Sequence, residues 1–347
     1  MKPIAHEAYA APATFQQELE RIFQPGMFVA TADKLAARHA YVSCLLGGRA
    51  VSVRNTGDGL AAFENICLHR GSLIDPPGHG QGPMRCRYHG WMYDADGALR
   101  KTATDARDNL HRCTLPRLHA WDADGLIFSG ARPPEDEDAI RHALTAIGHD
   151  RLPPPFHEAS LEHPANWKLL VENVVEQYHI SFVHPQSFVP MGISSTTPFE
   201  WSSHGRHSWS FAHVAPGPDS ARMNRLIPQA TDHYAHAYVF PNLFVSLTSG
   251  LVAYVAHFIP DRPDRTVLHY QLHETPLLMR QSQGVRDFVK SRSIEFTEKV
   301  LAEDLELLGL SQAGVERSHA GHQIQPGMEP RIAHFHARYR EAMHASE

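Results

Sequence analysis

A chain of 347 residues exceeds one ordinary domain and suits two, or one large domain carrying an insertion. Hydrophobic residues at 42%, charged residues at 20%, and a spread of 25 Pro and 23 Gly exclude disordered and fibrous classes. A formal net charge of -6 without a block of like charges removes the electrostatic footprint of nucleic-acid binding and of an anionic membrane surface.

No apolar stretch reaches the length of a membrane span. Residues Met1 to Ala10 lack a charged region followed by an apolar one, so a soluble, cytoplasmic protein is expected. The first helix is expected over Thr14 to Phe23, with Thr14 and Gln17 as a capping box and Phe15, Leu19, Ile22 and Phe23 on one face. From about Tyr41 to Phe128, short alternating runs are cut by turn signals. Examples are Ala50-Val51-Ser52-Val53 before Asn55-Thr56-Gly57-Asp58-Gly59, and Tyr93-Asp94-Ala95-Asp96-Gly97. This pattern describes a small, mostly-β module. Breakers at Arg132 to Asp138 and at Pro153-Pro154-Pro155 mark a domain boundary.

A helical stripe follows, formed by Trp167, Leu170, Val171, Val174, Val175 and Tyr178. Strand-like runs occupy Ala237 to Leu247, Leu251 to Ile259 and Thr266 to Glu274. A long helix from roughly Val285 to Leu308 and a polar tail close the chain. The fold class is therefore α+β: a β module, then a larger domain whose antiparallel sheet is flanked by helices.

Four cysteines, Cys44, Cys67, Cys86 and Cys113, are too few for a disulfide scaffold, and the 26 histidines are unusually many. The sharpest local pattern is Cys67-Leu68-His69, then sixteen residues, then Cys86-Arg87-Tyr88-His89. Structural zinc pairs Cys with Cys and His with His, whereas each cluster here supplies one of each. In a Rieske [2Fe-2S] centre two cysteines hold one iron and two histidines the other, which mixed pairs on two loops can provide. Zinc or plain burial is the competing reading. Cys44 and Cys113 fall outside the pattern and are expected to be buried small residues.

The second cluster is Glu172-Asn173-Val174-Val175-Glu176-Gln177-Tyr178-His179, followed by Ile180 to His184 and Pro185. On a helix, Glu176 and His179 would be neighbours on one face. Pro185 pushes His184 out of the α region, so His184 can swing back from a turn. Two such histidines are part of a 2-His-1-carboxylate triad on non-haem Fe(II), with satisfied interior histidines as the alternative. For the carboxylate, Asp304 has Val300, Leu301, Leu307 and Leu308 as helical neighbours, so its charge would be buried and in need of a partner. Glu303 adjoins Lys299 and Glu306, which reads as a solvated face.

Taken together, Cys67-Leu68-His69-Arg70-Gly71 and Cys86-Arg87-Tyr88-His89-Gly90-Trp91 resemble the Rieske pattern of the ring-hydroxylating oxygenase family, with Gly125-Leu126-Ile127-Phe128 similar to that domain's last strand. Asn166-Trp167-Lys168, Glu172-Asn173, Glu176, Tyr178-His179, His184-Pro185, Glu303-Asp304 and Gln312 resemble its catalytic domain. The resemblance covers about Thr14 to Gln312. It implies an N-terminal helical segment over 1–40 packing on the catalytic domain, a Rieske domain over 41–132, and a helix-grip-like catalytic iron domain over 150–347.

The resemblance also implies Cys67, His69, Cys86 and His89 as cluster ligands, and His179, His184 and Asp304 on Fe(II). Glu176 becomes the acid bridging His179 to His89 of an adjacent subunit in a homotrimer. Glu at this position is shared with carnitine-, choline- and betaine-type monooxygenases and some aromatic-acid members. The implied activity is that of a terminal oxygenase, mono- or dioxygenase, hydroxylating or demethylating a small organic substrate with O2. Electrons come from NAD(P)H through a separate flavin/iron-sulfur reductase or a ferredoxin, since no G-x-G-x-x-G follows a strand. Cis-dihydroxylation of an aromatic acid, as in aromatic catabolism, and simple electron carriage are the competing functions. Trp201, Trp209, Tyr234, Tyr238, Phe240 and Tyr254 can cage an ammonium group or form sheet core. Arg206, Arg222 and Arg225 can receive a carboxylate or stay solvated.

Overall fold

In a computed structural model, residues 3–102, 113–214, 225–231, 233–318, 323–325 and 327–345 are described. Arg222 lies outside them. The chain divides into two compact units, Glu18–Glu137 and Met1–Gln17 joined with Asp138–Glu347.

In the first unit, β-branched and aromatic residues in short runs form strands β1 (Met27–Thr31), β2 (Ala40–Leu46), β3 (Arg49–Asn55), β4 (Leu60–Glu64), β5 (Gly78–Gln81), β6 (Met92–Tyr93), β7 (Leu99–Lys101), β8 (Arg117–Ala123) and β9 (Leu126–Gly130). Among the described residues an antiparallel sheet runs in the order β1-β9-β8-β4-β3-β2-β5, with β6-β7 as a separate ribbon. Met27–Thr31 pairs with β9. This register divides the segment expected at 1–40, because its second half supplies an edge strand of the β module while residues up to Gln17 go with the other unit. The first helix runs Pro12–Glu18 and continues as a wider helical turn over Leu19–Phe23. It starts at Pro12, whose missing N–H costs nothing in a first turn, so Thr14 lies inside the helix and the expected capping box does not form.

The second unit holds β10 (His157–His163), β11 (Phe199–His204), β12 (His207–His213), β13 (His233–Val239), β14 (Leu243–Thr248), β15 (Val252–Arg262) and β16 (Arg265–Glu274). Their antiparallel order is β10-β16-β15-β14-β13-β12-β11. The run expected as one strand over Ala237 to Leu247 is two, because Pro241 has no N–H for the ladder and the chain reverses there.

Helices Trp167–Val175, Gln283–Val315 and Pro330–His344 accompany this sheet. The last replaces the expected polar tail: its stripe Arg331, Ile332, Phe335, His336, Tyr339 and Met343 is buried. Phe335 meets Trp167 edge-on at 5.7 Å. Buried His336 accepts from Ile4 N at 3.1 Å through Nδ1 and donates from Nε2 to Glu172 Oε1 at 2.9 Å. Tyr9 donates to that same oxygen. One carboxylate thus ties the first residues and the last helix to the helix that leads into the second metal cluster. None of the described helices is long and apolar enough to cross a membrane.

Candidate metal centres and cavity

The two cysteine loops of the β module are built alike. Gly71 N donates to Cys67 O at 2.9 Å and Cys67 N to Ser72 O at 2.8 Å; Gly90 N donates to Cys86 O at 3.0 Å and Cys86 N to Trp91 O at 2.8 Å. Gly71 and Gly90 both sit at φ 72°, a left-handed conformation that disfavours any Cβ. That backbone requirement explains the glycines in the resemblance. Cys67 and Cys86 are buried in one core cluster with Phe63, Trp91 and Tyr93. His69 and His89 face each other on the outer side, Nδ1 to Nδ1 at 3.1 Å. Two buried thiols beside two facing imidazoles make an S2N2 donor set, which suits a Rieske cluster.

Burial raises the Cys67 thiol, opposed by its hydrogen bond with Tyr93 and by the backbone at His69. Partial desolvation, with His69 and Arg70 nearby, holds His89 below the ordinary imidazole range, in the neutral form a metal needs. Cys44 and Cys113 are only half-buried, contrary to expectation, and neither joins the loops. Behind the first loop, Asp75 accepts from Ser52 Oγ at 2.6 Å and from buried Arg54. Asn65 donates to Asp75 O at 2.8 Å and accepts from Asp75 N at 2.9 Å. Asn65 and Asp75 therefore clamp the two ends of the segment that carries Cys67 and His69.

In the second unit, the Trp167–Val175 helix ends before Glu176, whose backbone is extended at φ -124° and ψ 169°. Glu176 and His179 are thus brought together by a turn and not by a helix face. The Glu176 carboxylate accepts from Tyr178 N and from His179 N, just ahead of the short helix Ile180–Val183, and its other oxygen meets His179 Nδ1. His184 leaves that helix at φ -114° and ψ 40° and turns back, as Pro185 requires. Ligand atoms of His179, His184 and Asp304 lie within 4.8 Å of one another.

Asp304 is buried on the long helix, 7% exposed. Its Oδ1 stands 3.1 Å from His184 Nε2 yet makes no hydrogen bond among the described residues. A buried, unbonded carboxylate oxygen beside two imidazoles is costly without a cation, so the donor set fits a 2-His-1-carboxylate metal. Glu303, expected on a solvated face, instead meets His184 Nδ1 at 2.7 Å. Burial opposes protonation of His184, but the neighbouring carboxylates of Asp304 and Glu303 outweigh it, and its pKa is raised. With Nδ1 of each histidine held by a glutamate, Nε2 of each is the nitrogen left for a metal.

The three residues open on a cavity of about 530 Å³. Of the aromatic candidates, Trp201, Tyr234 and Tyr254 line it, joined by Phe188, Phe244 and Phe296. Trp209, Tyr238 and Phe240 are buried sheet core. Arg206 stacks over Phe240 at 5.3 Å and Arg225 is exposed, so neither lines the cavity.

A Rieske module ahead of a helix-flanked sheet with a facial triad defines a two-centre iron oxygenase. The ring hydroxylating alpha subunit catalytic-domain model matches residues 154–345, and the Rieske [2Fe-2S] domain model matches 26–116. The chain belongs to the ring-hydroxylating oxygenase alpha-subunit family. It is 26% identical to the carnitine monooxygenase oxygenase subunit of Escherichia coli, over 95% of this chain and 92% of that protein. It is also 26% identical to the chloroplastic choline monooxygenase of Spinacia oleracea, over 94% and 75%. The fold superposes on a quaternary ammonium Rieske monooxygenase with TM-score 0.80, 20% identity and coverage of 99% and 95%. Naphthalene 1,2-dioxygenase from Rhodococcus sp. gives TM-score 0.75, 19% identity and coverage of 98% and 94%.

The protein is therefore an oxidoreductase, the terminal oxygenase component of a system that takes electrons from a separate NAD(P)H-dependent reductase and acts with O2 on a small organic substrate. Its cofactors are a Rieske [2Fe-2S] cluster and a mononuclear non-haem iron.

Proposed function

We propose that His179, His184 and Asp304 hold the mononuclear Fe(II), that Cys67, His69, Cys86 and His89 hold the cluster, and that the enzyme monooxygenates a methyl-bearing small molecule. The observation that carries this reading is the buried, unbonded Asp304 oxygen beside two imidazoles at the mouth of a ring-lined cavity. When bound, the cluster supplies electrons singly and the iron supplies the open positions at which dioxygen is reduced.

The chain's own residues position and insulate. Glu176 and Glu303 fix the two imidazole tautomers. Phe188, Phe296 and Tyr254 line the cavity with rings that suit a quaternary ammonium, the substrate class for which one structural relative is named, and the sequence relatives are a carnitine and a choline monooxygenase. A cis-dihydroxylated aromatic acid is the reading this displaces.

Glu176 is also the proposed link to the cluster, through His89 of a neighbouring subunit in a homotrimer. Two exposed rims support this assembly: Tyr178 and Phe182 beside Glu176, and Leu68 and Tyr88 beside the Rieske histidines. Inter-subunit electron transfer is described for one structural relative.

A single turnover tests the function. The reduced holoenzyme is mixed with O2 and a panel of quaternary amines, methoxy-aromatics and aromatic acids, and products are weighed. Formaldehyde with a demethylated product, or a product gaining one oxygen atom, is expected; gain of both atoms would refute monooxygenation. His184→Ala should abolish turnover while the red-brown colour persists, and loss of colour would refute two separate sites.

A further inference from the structure

The cavity contains a cation that neither metal set uses. Arg331, in the first turn of the Pro330–His344 helix, lines the cavity and is 4% exposed. Its Nε donates to Ser208 Oγ at 3.2 Å, one terminal nitrogen donates to Ser208 O at 3.3 Å, and the other lies 3.2 Å from both ring nitrogens of His236. These partners carry no negative charge. Burial, with Arg331 alongside, holds His236 well below the ordinary imidazole range, so that ring is neutral. Among the described residues no carboxylate pairs with the guanidinium. Burial lowers its pKa to about 9, which leaves it charged at neutral pH. A buried charge held only by neutral groups is costly, and a guanidinium fork has more donors than these contacts use.

The cation also has a defined relation to the metal set. His184 stacks edge-on to Phe188 at 5.3 Å, Phe188 to Tyr234 at 5.8 Å, and Tyr234 lies 5.3 Å from His236. Tyr234 senses the charges of both Arg331 and Asp304. A row of rings therefore separates the triad from the guanidinium within one cavity. The remaining cavity-lining arginine, Arg292, is paired with Glu295 at 2.8 Å on an exposed helix face.

We propose that Arg331 is the anion-binding residue of this cavity, and that the substrate carries a carboxylate at the end remote from the carbon that reacts. A planar fork matches a carboxylate in two parallel hydrogen bonds. The inference rests on the oxygenase reading of the His179, His184 and Asp304 end, because that end defines which carbon reacts.

The test is calorimetric binding to the holoenzyme of two matched pairs: 4-(trimethylammonio)butanoate and its methyl ester, and 3-methoxybenzoate and its methyl ester. In the wild-type protein at least one acid should bind about tenfold or more tightly than its ester. In Arg331→Gln that ratio should fall below about threefold through weaker binding of the acid, and Arg331→Lys should recover part of it, with Rieske absorbance and iron content unchanged. Esters as tight as acids in both pairs, no binding of either acid, or a preference retained in Arg331→Gln would overturn the inference. Should Arg331→Gln not fold, the wild-type ratios and Arg331→Lys decide the matter. Oxygen uptake separates the two readings: turnover without acid preference refutes the Arg331 assignment alone, whereas acid preference without turnover on any compound refutes the oxygenase site.

Discussion

Glu303 Oε2 lies 2.7 Å from His184 Nδ1 and accepts from Ser187 Oγ at 2.7 Å. Two consecutive acids on one helix thus serve one imidazole, Glu303 at Nδ1 and Asp304 beside Nε2. Carboxylates that orient a ligating histidine typically change metal affinity by about 10- to 100-fold. Glu303→Leu should therefore lower mononuclear iron affinity by roughly that factor. Dialysis against a graded chelator followed by iron analysis measures it, and the Rieske absorbance should be untouched. Wild-type iron retention would show that Glu303 only decorates the helix.

Arg54 and Asp75 form a buried ion pair behind the Cys67 loop. Removing one partner of such a pair leaves a charge stranded out of water, at a cost of about 3–5 kcal/mol. Arg54→Met should therefore lower the denaturant midpoint at which the Rieske absorbance is lost. An unchanged midpoint would mean that the Asn65 clamp alone suffices to hold the loop.

Tyr93 lies 3.3 Å from Cys67 Sγ and its oxygen accepts from Leu68 N at 3.0 Å. A hydrogen bond to a cluster sulfur stabilises the reduced, more negative state. Tyr93→Phe should lower the Rieske potential by roughly 40 mV, the equivalent of about 1 kcal/mol on a one-electron couple. Protein-film voltammetry reads the shift, and a potential that rises or stays put would remove Tyr93 from the tuning of the cluster.

Both clusters were legible in the sequence because their residue types are unusual and closely spaced. Cys67-Leu68-His69 and Cys86 to His89 resemble one family's pattern whatever surrounds them, and Asp304 is marked by its four apolar helical neighbours. Glu303 was not legible, since Lys299 and Glu306 beside it imply solvent and only the tertiary approach of His184 gives it a partner. The C-terminal helix was hidden for a related reason: its buried stripe contains Arg331 and His336, which hydropathy counts as exposed. The strands β10 and β11 are hard to read in the sequence because every second residue of β10 and nearly all of β11 are exposed, leaving runs such as His157–His163 too polar to read as sheet. The spacing of Glu176 and His179 does not distinguish helix from turn, since both bring residues three apart into contact, and here it is the turn.

Acid sensitivity follows from His257 on β15, whose ring meets that of His269 at 5.1 Å. Burial, then the neighbouring His269, lowers its pKa from 6.5 to about 3. Because the folded value is depressed, the unfolded chain binds more protons between those two pH values, so stability rises with pH across that window and is level above 6.5 for this group. Lowering the pH from 7 to 5 should cost about 2 kcal/mol through His257 alone. His334, lowered to about 4 chiefly by burial, acts in the same direction. His257→Gln removes the first contribution, so its melting temperature should fall less steeply than the wild type's between pH 7 and pH 5. Parallel curves would mean that His257 is protonated within the folded sheet, with His269 and local water accommodating the charge.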